Sequence, residues 1–331
     1  MISAMGRRKL LVLGAATGSV LAPVRRSAGA EPTVQRPARA LVGYAPGGPT
    51  DTTARLYADA LRGAYAPHVV VENRAGAGGR LAAEALKASP PDGTVLLATP
   101  GSVMTLQPHV YPRQVKYDAL ADFVPAGTLC TFSLGLAVPA DHPAKDLREL
   151  AAWLRAQPGE VTYGSPAAGS GPHFLGGRFG RAVGARLTHI PYRGAAPALQ
   201  DLLSGRVPMM LAVLSDLAPQ HGQGLRILAV SAPQRVSRLP DVPTFAELGH
   251  TELTSEDWIG VFLPARTPPA VVSGLHAALI AASQRPEVRA GLDRLEFVPH
   301  VMEPAALAER IRAERDQWGP IVRESGFEPD Q

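Results

Sequence analysis

A single cysteine, Cys130, among 331 residues excludes an internal disulfide, so the fold must rest on its hydrophobic core. Lysine is almost as scarce: Lys9, Lys87, Lys116 and Lys145 are the only four, and none stands in a G-K-[ST] context, which removes a P-loop. No serine has glycine at both flanking second positions, so the G-x-S-x-G elbow of hydrolases is absent. The nine histidines stand at least 16 residues apart and no H-E-x-x-H occurs, leaving no local zinc site. Gly76-Ala77-Gly78-Gly79-Arg80-Leu81 has Leu81 where a dinucleotide fingerprint needs its third glycine. Neither a metal nor a cofactor is expected. Aromatic residues reach only 5% and charged residues 19%, but 46% of the chain is apolar, an ordinary globular balance. The length exceeds what one core usually holds and points to two domains.

The formal charge of +4 misleads until its location is noted, because Arg7, Arg8, Lys9, Arg25 and Arg26 all fall in the first 30 residues, which carry no acid. Without that segment the net charge is −1, and no global field remains to hold nucleic acid or an anionic membrane. The segment itself has the form of an export signal. A basic start precedes an apolar run from Leu10 to about Ala22, and Ala28-Gly29-Ala30 offers small residues for cleavage after Ala30. Arg7-Arg8-Lys9-Leu10-Leu11 also fits a twin-arginine signal, and the choice between the two export routes stays open. No later apolar stretch reaches membrane-spanning length, so a soluble periplasmic protein is expected.

Beyond Pro37, short β-rich runs alternate with longer helical stretches, the pattern of parallel sheets covered by helices. Strands are expected at 40–44, 69–72, 95–99, 134–138, 161–163, 187–190, 207–211, 225–230 and 259–263. Helices are expected from Thr50 or Asp51, with Thr50 as the cap, and over 79–88, 145–157, 173–183, 195–204, 269–283 and 304–324. No flexible linker separates two halves, so strand crossings near Thr131–Ser133 and Glu256–Ile259 are expected to join the domains. The first would then comprise 31–131 plus 257–331 and the second 132–256, with a cleft between them.

Four glycine- and hydroxyl-rich loops each follow an expected strand and precede a helix: 44–51, 72–79, 99–102 and 164–173. In parallel α/β sheets such loops converge on the crevice at the carboxyl ends of the strands. Backbone N–H groups at glycines, helix N-termini and uncharged hydroxyls together suit a carboxylate-sized anion. The same residues are also ordinary turn formers, and composition alone does not separate the two readings.

These stretches resemble the Bug family of periplasmic substrate-binding proteins, which serve tripartite tricarboxylate transporters. Y-A-P-G-G-P-T-D-T-T-A-R-L (44 to 56), V-V-V-E-N-R-A-G-A-G-G (69 to 79), P-D-G-T-V-L-L (91 to 97), P-Y-R-G-A-A-P-A-L-Q-D-L-L-S-G-R-V (191 to 207), R-L-P-D-V-P-T (238 to 244) and W-I-G-V-F-L-P-A-R-T-P (258 to 268) carry the likeness, in order, over nearly the whole mature chain. The resemblance implies a bilobal type II periplasmic-binding-protein fold that closes on an organic acid and delivers it to membrane subunits, with no reaction. A monomer is the default for such proteins. Carried over by motif, the first-lobe side would comprise Tyr44, Gly47, Gly48, Thr50, Asp51, Gly78 and Ser102. The second-lobe side would comprise Ser165, Gly169, Ser170, Gly171 and His173. Asn73, the sole asparagine, would brace its turn, and Trp258 would serve hinge or core. Many members place an acid after the strand ending at residue 211, where this chain has Ala212, so Ala212 is expected to line the site and the ligand to lack an amino group. An exported enzyme acting on a small acid, and a sensor presenting its closed form to a membrane receptor, remain as alternatives.

Overall fold

The computed structural model describes residues 33–328; the expected export signal and its expected cleavage after Ala30 lie outside them. The chain opens with β1 (Ala38–Val42), α1 (Pro49–Leu61), β2 (Val69–Asn73), α2 (Arg80–Lys87), β3 (Val95–Pro100), α3 (Gly101–Thr105) and α4 (Gln107–Val110). A 17-residue strand, β4 (Phe123–Pro139), leads into α5 (Leu147–Arg155), β5 (Val161–Ser165), α6 (Gly171–Ala182), β6 (Leu187–Pro191) and α7 (Ala195–Leu203). Next come β7 (Met210–Val213), α8 (Leu214–Leu217) and β8 (Leu225–Val230). The return runs through β9 (Glu256–Pro264), α9 (Pro269–Ser283), α10 (Pro286–Asp293), β10 (Val298–Pro299) and α11 (Pro304–Ser325).

Strand order is β2-β1-β3-β9-β4-β7-β5-β6, with β8 and β10 also paired to β4. β1, β2 and β3 are mutually parallel, as are β5, β6 and β7, while β9 and β4 run antiparallel to their neighbours. Through Ser133, β4 pairs with β9; from Leu134 onward it pairs with β7 and β8. One long strand therefore serves two sheets. Buried Ser231 ties the junction: its Oγ accepts from Leu134 N at 3.0 Å and donates to Ser255 O at 2.6 Å, just ahead of β9.

Both faces of the first sheet are covered, so its strands are apolar on both sides and the period of two decides which core each residue joins. On β9, Ile259, Val261 and Leu263 pack with Leu61 of α1 and Leu275 and Leu279 of α9. Trp258 and Phe262 face the other way, onto Leu86, Met104, Leu307 and Ile311. The C-terminal helices thus return to the sheet that the N-terminal strands build. Contact is close at Gly101, where an added Cβ would lie 2.3 Å from Trp258 Cε2. Because Trp258 is fully buried and has nowhere to shift, Gly101→Ala is expected to destabilise by about 1–3 kcal/mol in chemical denaturation.

Three expectations need correction. The first eleven residues of β4, Phe123–Ser133, escaped the strand pattern because Pro125 and Gly127 interrupt it; the structure accommodates them at register shifts against β9. The strand expected at 207–211 is Met210–Val213 instead, and Pro208, lacking an N–H, stands before its start. Thr50 does not cap α1: Gly48 is the N-cap, Pro49 occupies the first turn, and no side chain accepts there.

Candidate functional site

The loop after β1 is held by one acid. Asp51, 1% exposed, accepts Gly47 N–H at 2.8 Å and takes Arg55 in a bidentate grip, with Nε and Nη2 each at 2.9 Å. Asn73 Nδ2 donates to Asp51 Oδ1 at 2.7 Å and to Tyr44 O at 3.1 Å, while its Oδ1 accepts from Arg55. Burial alone would raise the Asp51 carboxyl, but the donors from Arg55, Gly47 and Asn73 together outweigh it and hold the group below its ordinary range. Asp51 and Asn73 thereby fix the path from Tyr44 to the start of α1.

The loop after β2 meets this one at close range: a Cβ on Gly43 would stand 2.4 Å from Gly79 Cα, so only glycine permits the approach. Gly78 O accepts from Tyr44 Oη at 3.2 Å and from Gln107 Nε2 at 2.6 Å. Arg80 reaches Gln107 and Gln114 and lies over the Tyr111 ring at 4.2 Å. Ser102, in the first turn of α3, lies beside Asp257 at the start of β9 and favours its ionised form.

Asp257 carries no motif in the sequence and was missed there. It is half-buried, accepts from its neighbour's N–H (Trp258 N, 2.7 Å), and lies near enough to Tyr44 to raise the phenol electrostatically, after burial has done most of that work. Burial chiefly, and nearby Glu314 next, push the Asp257 carboxyl up to about 7, against the opposing pull of Arg310 and Ser102. Glu314 is engaged elsewhere, accepting Trp258 Nε1 at 3.0 Å and Arg310 Nε at 2.6 Å. Near neutrality Asp257 is thus a carboxyl that can donate as well as accept.

The second sheet presents the loop from Ser165 to His173. Ser170 caps α6, accepting His173 N–H at 3.4 Å and donating to Ala167 O at 2.7 Å. Gly169 N–H donates to His173 Nδ1 at 3.1 Å, and Gly171 opens the helix. Ser165 is fully buried, its Oγ 2.7 Å from His189 Nε2. His173 and His189, 16 residues apart in sequence, stack with ring centroids 3.9 Å apart. An apolar seam of Leu106, Val110, Phe174 and Val322 joins α4, α6 and α11, so the two loop sets belong to one connected structure.

A family model described as the tripartite tricarboxylate transporter family receptor matches residues 53–327. The chain belongs to this family. Protein BugT of Bordetella pertussis is 34% identical over 326 residues, covering 96% of this chain and 98% of BugT. Among solved structures, Rpa4515 of R. palustris with adipate superposes with a TM-score of 0.79 at 29% identity, covering 89% of this chain and 99% of its own. MatC (Rpa3494) from Rhodopseudomonas palustris with bound malate gives 0.75 at 28% identity, covering 87% and 99%. The architecture of this tripartite tricarboxylate receptor is that of the Bug-type periplasmic solute-binding proteins, a bilobal α/β fold.

The residues expected to bind ligand in this receptor divide by accessibility. Gly47 and Gly78 are exposed, and Tyr44, Gly48, Ser102, Ser170, Gly171 and His173 are half-buried. Thr50, Asp51 and Ser165 are enclosed and Gly169 is buried, and the Asp51 and Ser165 side chains are spent on internal bonds, so those two position the loops instead of offering free groups. Ala212 corrects the expectation most clearly. It is fully buried with Met210, Ala198 and Leu202 on one face of β7, whereas Leu211 and Val213 point to the other face by strand alternation. Val213, half-buried, packs against the cores of both sheets and is the residue of this strand that reaches the junction. Trp258 is fully buried, as a core residue at the start of the return strand. Among the described residues, no group of three or more metal-ligating side chains occurs and no helix is long and apolar enough to cross a membrane.

Proposed function

We propose that this receptor captures a small organic dicarboxylate between the two loop sets and delivers it to the membrane subunits of a tripartite transporter, acting in the periplasm after its signal is removed near Ala30. The observation that carries the reading is the pairing of two strand-to-helix turns: a braced, glycine-rich loop at the start of α1, where Thr50 and Asp51 N–H have no acceptor within the helix, and a Ser170-capped loop at the start of α6, where Pro172 lacks an N–H, Ser170 takes that of His173, and Gly171 N–H is left to offer. Structures of the same fold with malate and with adipate support the ligand class.

In this reading the lobes are 31–131 plus 257–331 and 132–256, and they rotate where β4 changes partners and β9 begins. The acid docks on one loop set, and the other completes its hydrogen bonds on closure, so ligand stabilises the closed form. The argument from position 212 against an amino group falls, because Ala212 touches no cleft. Asp257 replaces it: a carboxyl that holds its proton to about pH 7 donates to a second carboxylate and is a poor counter-ion for ammonium.

Calorimetric titration with adipate and malate, with aspartate as the contrast, tests this directly. Saturable binding of a dicarboxylate and none of aspartate is expected; absence of binding by every carboxylate, together with no acid co-purifying in native mass spectrometry, refutes the reading. Ser170→Ala removes the α6 cap and should weaken dicarboxylate binding about fivefold, the equivalent of about 1 kcal/mol.

A further inference from the structure

Behind the Ser165–His173 loop, between α6, the strands β5 and β6 and the end of α11 at Ser325, lies a cavity of about 440 Å³ that shares only His173 with the residues expected to line the cleft. That volume falls in the range of small-molecule sites. Four rings contribute to its wall: Tyr163, Phe174, and the stacked pair His173 and His189. Two guanidinium groups, Arg181 and Arg186, complete it. Neither makes an ion pair or hydrogen bond among the described residues. The acid in the lining, Glu160, already accepts the Thr188 hydroxyl.

The imidazoles sharpen the chemistry. Burial lowers His173 to about 4 and His189 to about 3, the latter helped by His173, so both rings are neutral at physiological pH. Because Gly169 N–H donates to His173 Nδ1, that nitrogen is unprotonated and the ring's proton resides on Nε2, which has no protein partner among the described residues. The wall therefore combines four ring side chains, one spare N–H donor and two guanidiniums without a protein partner among the described residues.

We propose that this cavity is a second binding site, taking a small aromatic carboxylate whose ring lies among Tyr163, Phe174 and the histidine pair and whose carboxylate is held by Arg181 and Arg186. Planar guanidinium groups match a carboxylate edge, and aromatic faces match a flat body better than a flexible aliphatic chain. The site is wired to the cleft at two points, through His189 Nε2 to Ser165 Oγ and through His173 Nδ1 to Gly169 N–H. An occupant that fixes the ring pair also fixes the α6 loop, so the two ligands should bind with positive coupling. The existence of the second site stands on the cavity alone; its coupling rests on the dicarboxylate reading.

Benzoate is the probe. Calorimetry should show saturable benzoate binding to the wild type, weakened at least about tenfold in Arg181→Ala/Arg186→Ala by loss of two charge-assisted contacts. Both arginines are exposed, so an unchanged melting curve should accompany the loss. In ¹³C-histidine-labelled protein, benzoate should shift two ring resonances that His173→Gln and His189→Gln assign. With adipate as the cleft probe, its affinity should be unchanged in the double variant without benzoate and should rise when benzoate is added to the wild type. Failure of benzoate to bind at millimolar concentration overturns the proposal, as does binding that survives the double variant or is competed away by adipate. If adipate fails to bind while benzoate binds and depends on the two arginines, the cleft reading is lost and the second site is retained.

Discussion

Asp51→Ala should abolish detectable dicarboxylate binding and cost about 3 kcal/mol of stability, the scale for leaving several donors to a buried charged group unpaired. The reason is the number of partners it serves: Gly47 N–H, both donors of Arg55 and the Asn73 amide converge on a carboxylate that is 1% exposed. Without it, Arg55 and Asn73 lose their common acceptor, and the chain from Tyr44 to α1 has nothing to set its path. Asp51→Asn keeps the shape but cannot accept all of these donors with two oxygens, and should fall between the two. The same bonds imply an acid dependence. Asp51 is held below its ordinary value of 3.8, so the folded state binds this proton less readily than the unfolded chain. The stability it contributes is present above about pH 4 and is lost as pH falls below that. Urea denaturation of wild type and Asp51→Asn between pH 3 and pH 7 should show the acid limb flattened in the variant. Wild-type adipate affinity in Asp51→Ala would remove this loop from the site.

The second large effect belongs to Asp257. Its carboxyl is raised from 3.8 to about 7, so between those values the folded state holds a proton that the unfolded chain releases. Stability therefore declines as pH rises through that window and levels off above it. Asp257→Asn removes the ionisation, so the variant should match wild type near pH 4, exceed it by several degrees in melting temperature at pH 8, and show a flatter profile between. The groups facing Asp257 are Ser102, Tyr44, Glu314 and Arg310, of which Glu314 opposes its charge most and Arg310 favours it. Ligand binding should follow the same proton. Ionised Asp257 would confront the bound acid with a like charge, so adipate affinity should fall by up to about tenfold per pH unit above 7 in wild type. In Asp257→Asn it should stay level. A wild-type affinity independent of pH from 6 to 9 would show that Asp257 does not face the ligand.

Much of the loop framework around the candidate site could be read before any fold was known. Glycine, proline and hydroxyl residues between apolar runs announce strand-to-helix loops by local chemistry alone, and loops 44–51 and 164–173 lie where that reasoning put them. Which members of those loops are accessible could not be read. Asp51 and Ser165 look like ligand groups in sequence because they are polar and near glycine, yet each spends its side chain on partners brought from β2 or β6. Position 212 failed for a different reason: a strand turns successive residues to opposite faces, and with a strand start placed three residues early nothing in the apolar run Met209–Leu214 says which face is the core.

Local order in the chain thus set the succession of strands and helices and the loops at their junctions, all of which depend on neighbours within a few residues. The long-range pairings settled the rest. Asp257 meets Ser102 only because β9 returns beside β3; His173 meets His189 only because β6 lies beside β5; and β4 serves two sheets only because it changes partners after Ser133. Such contacts form between segments far apart along the chain, where neither composition nor periodicity carries information about which partner is chosen.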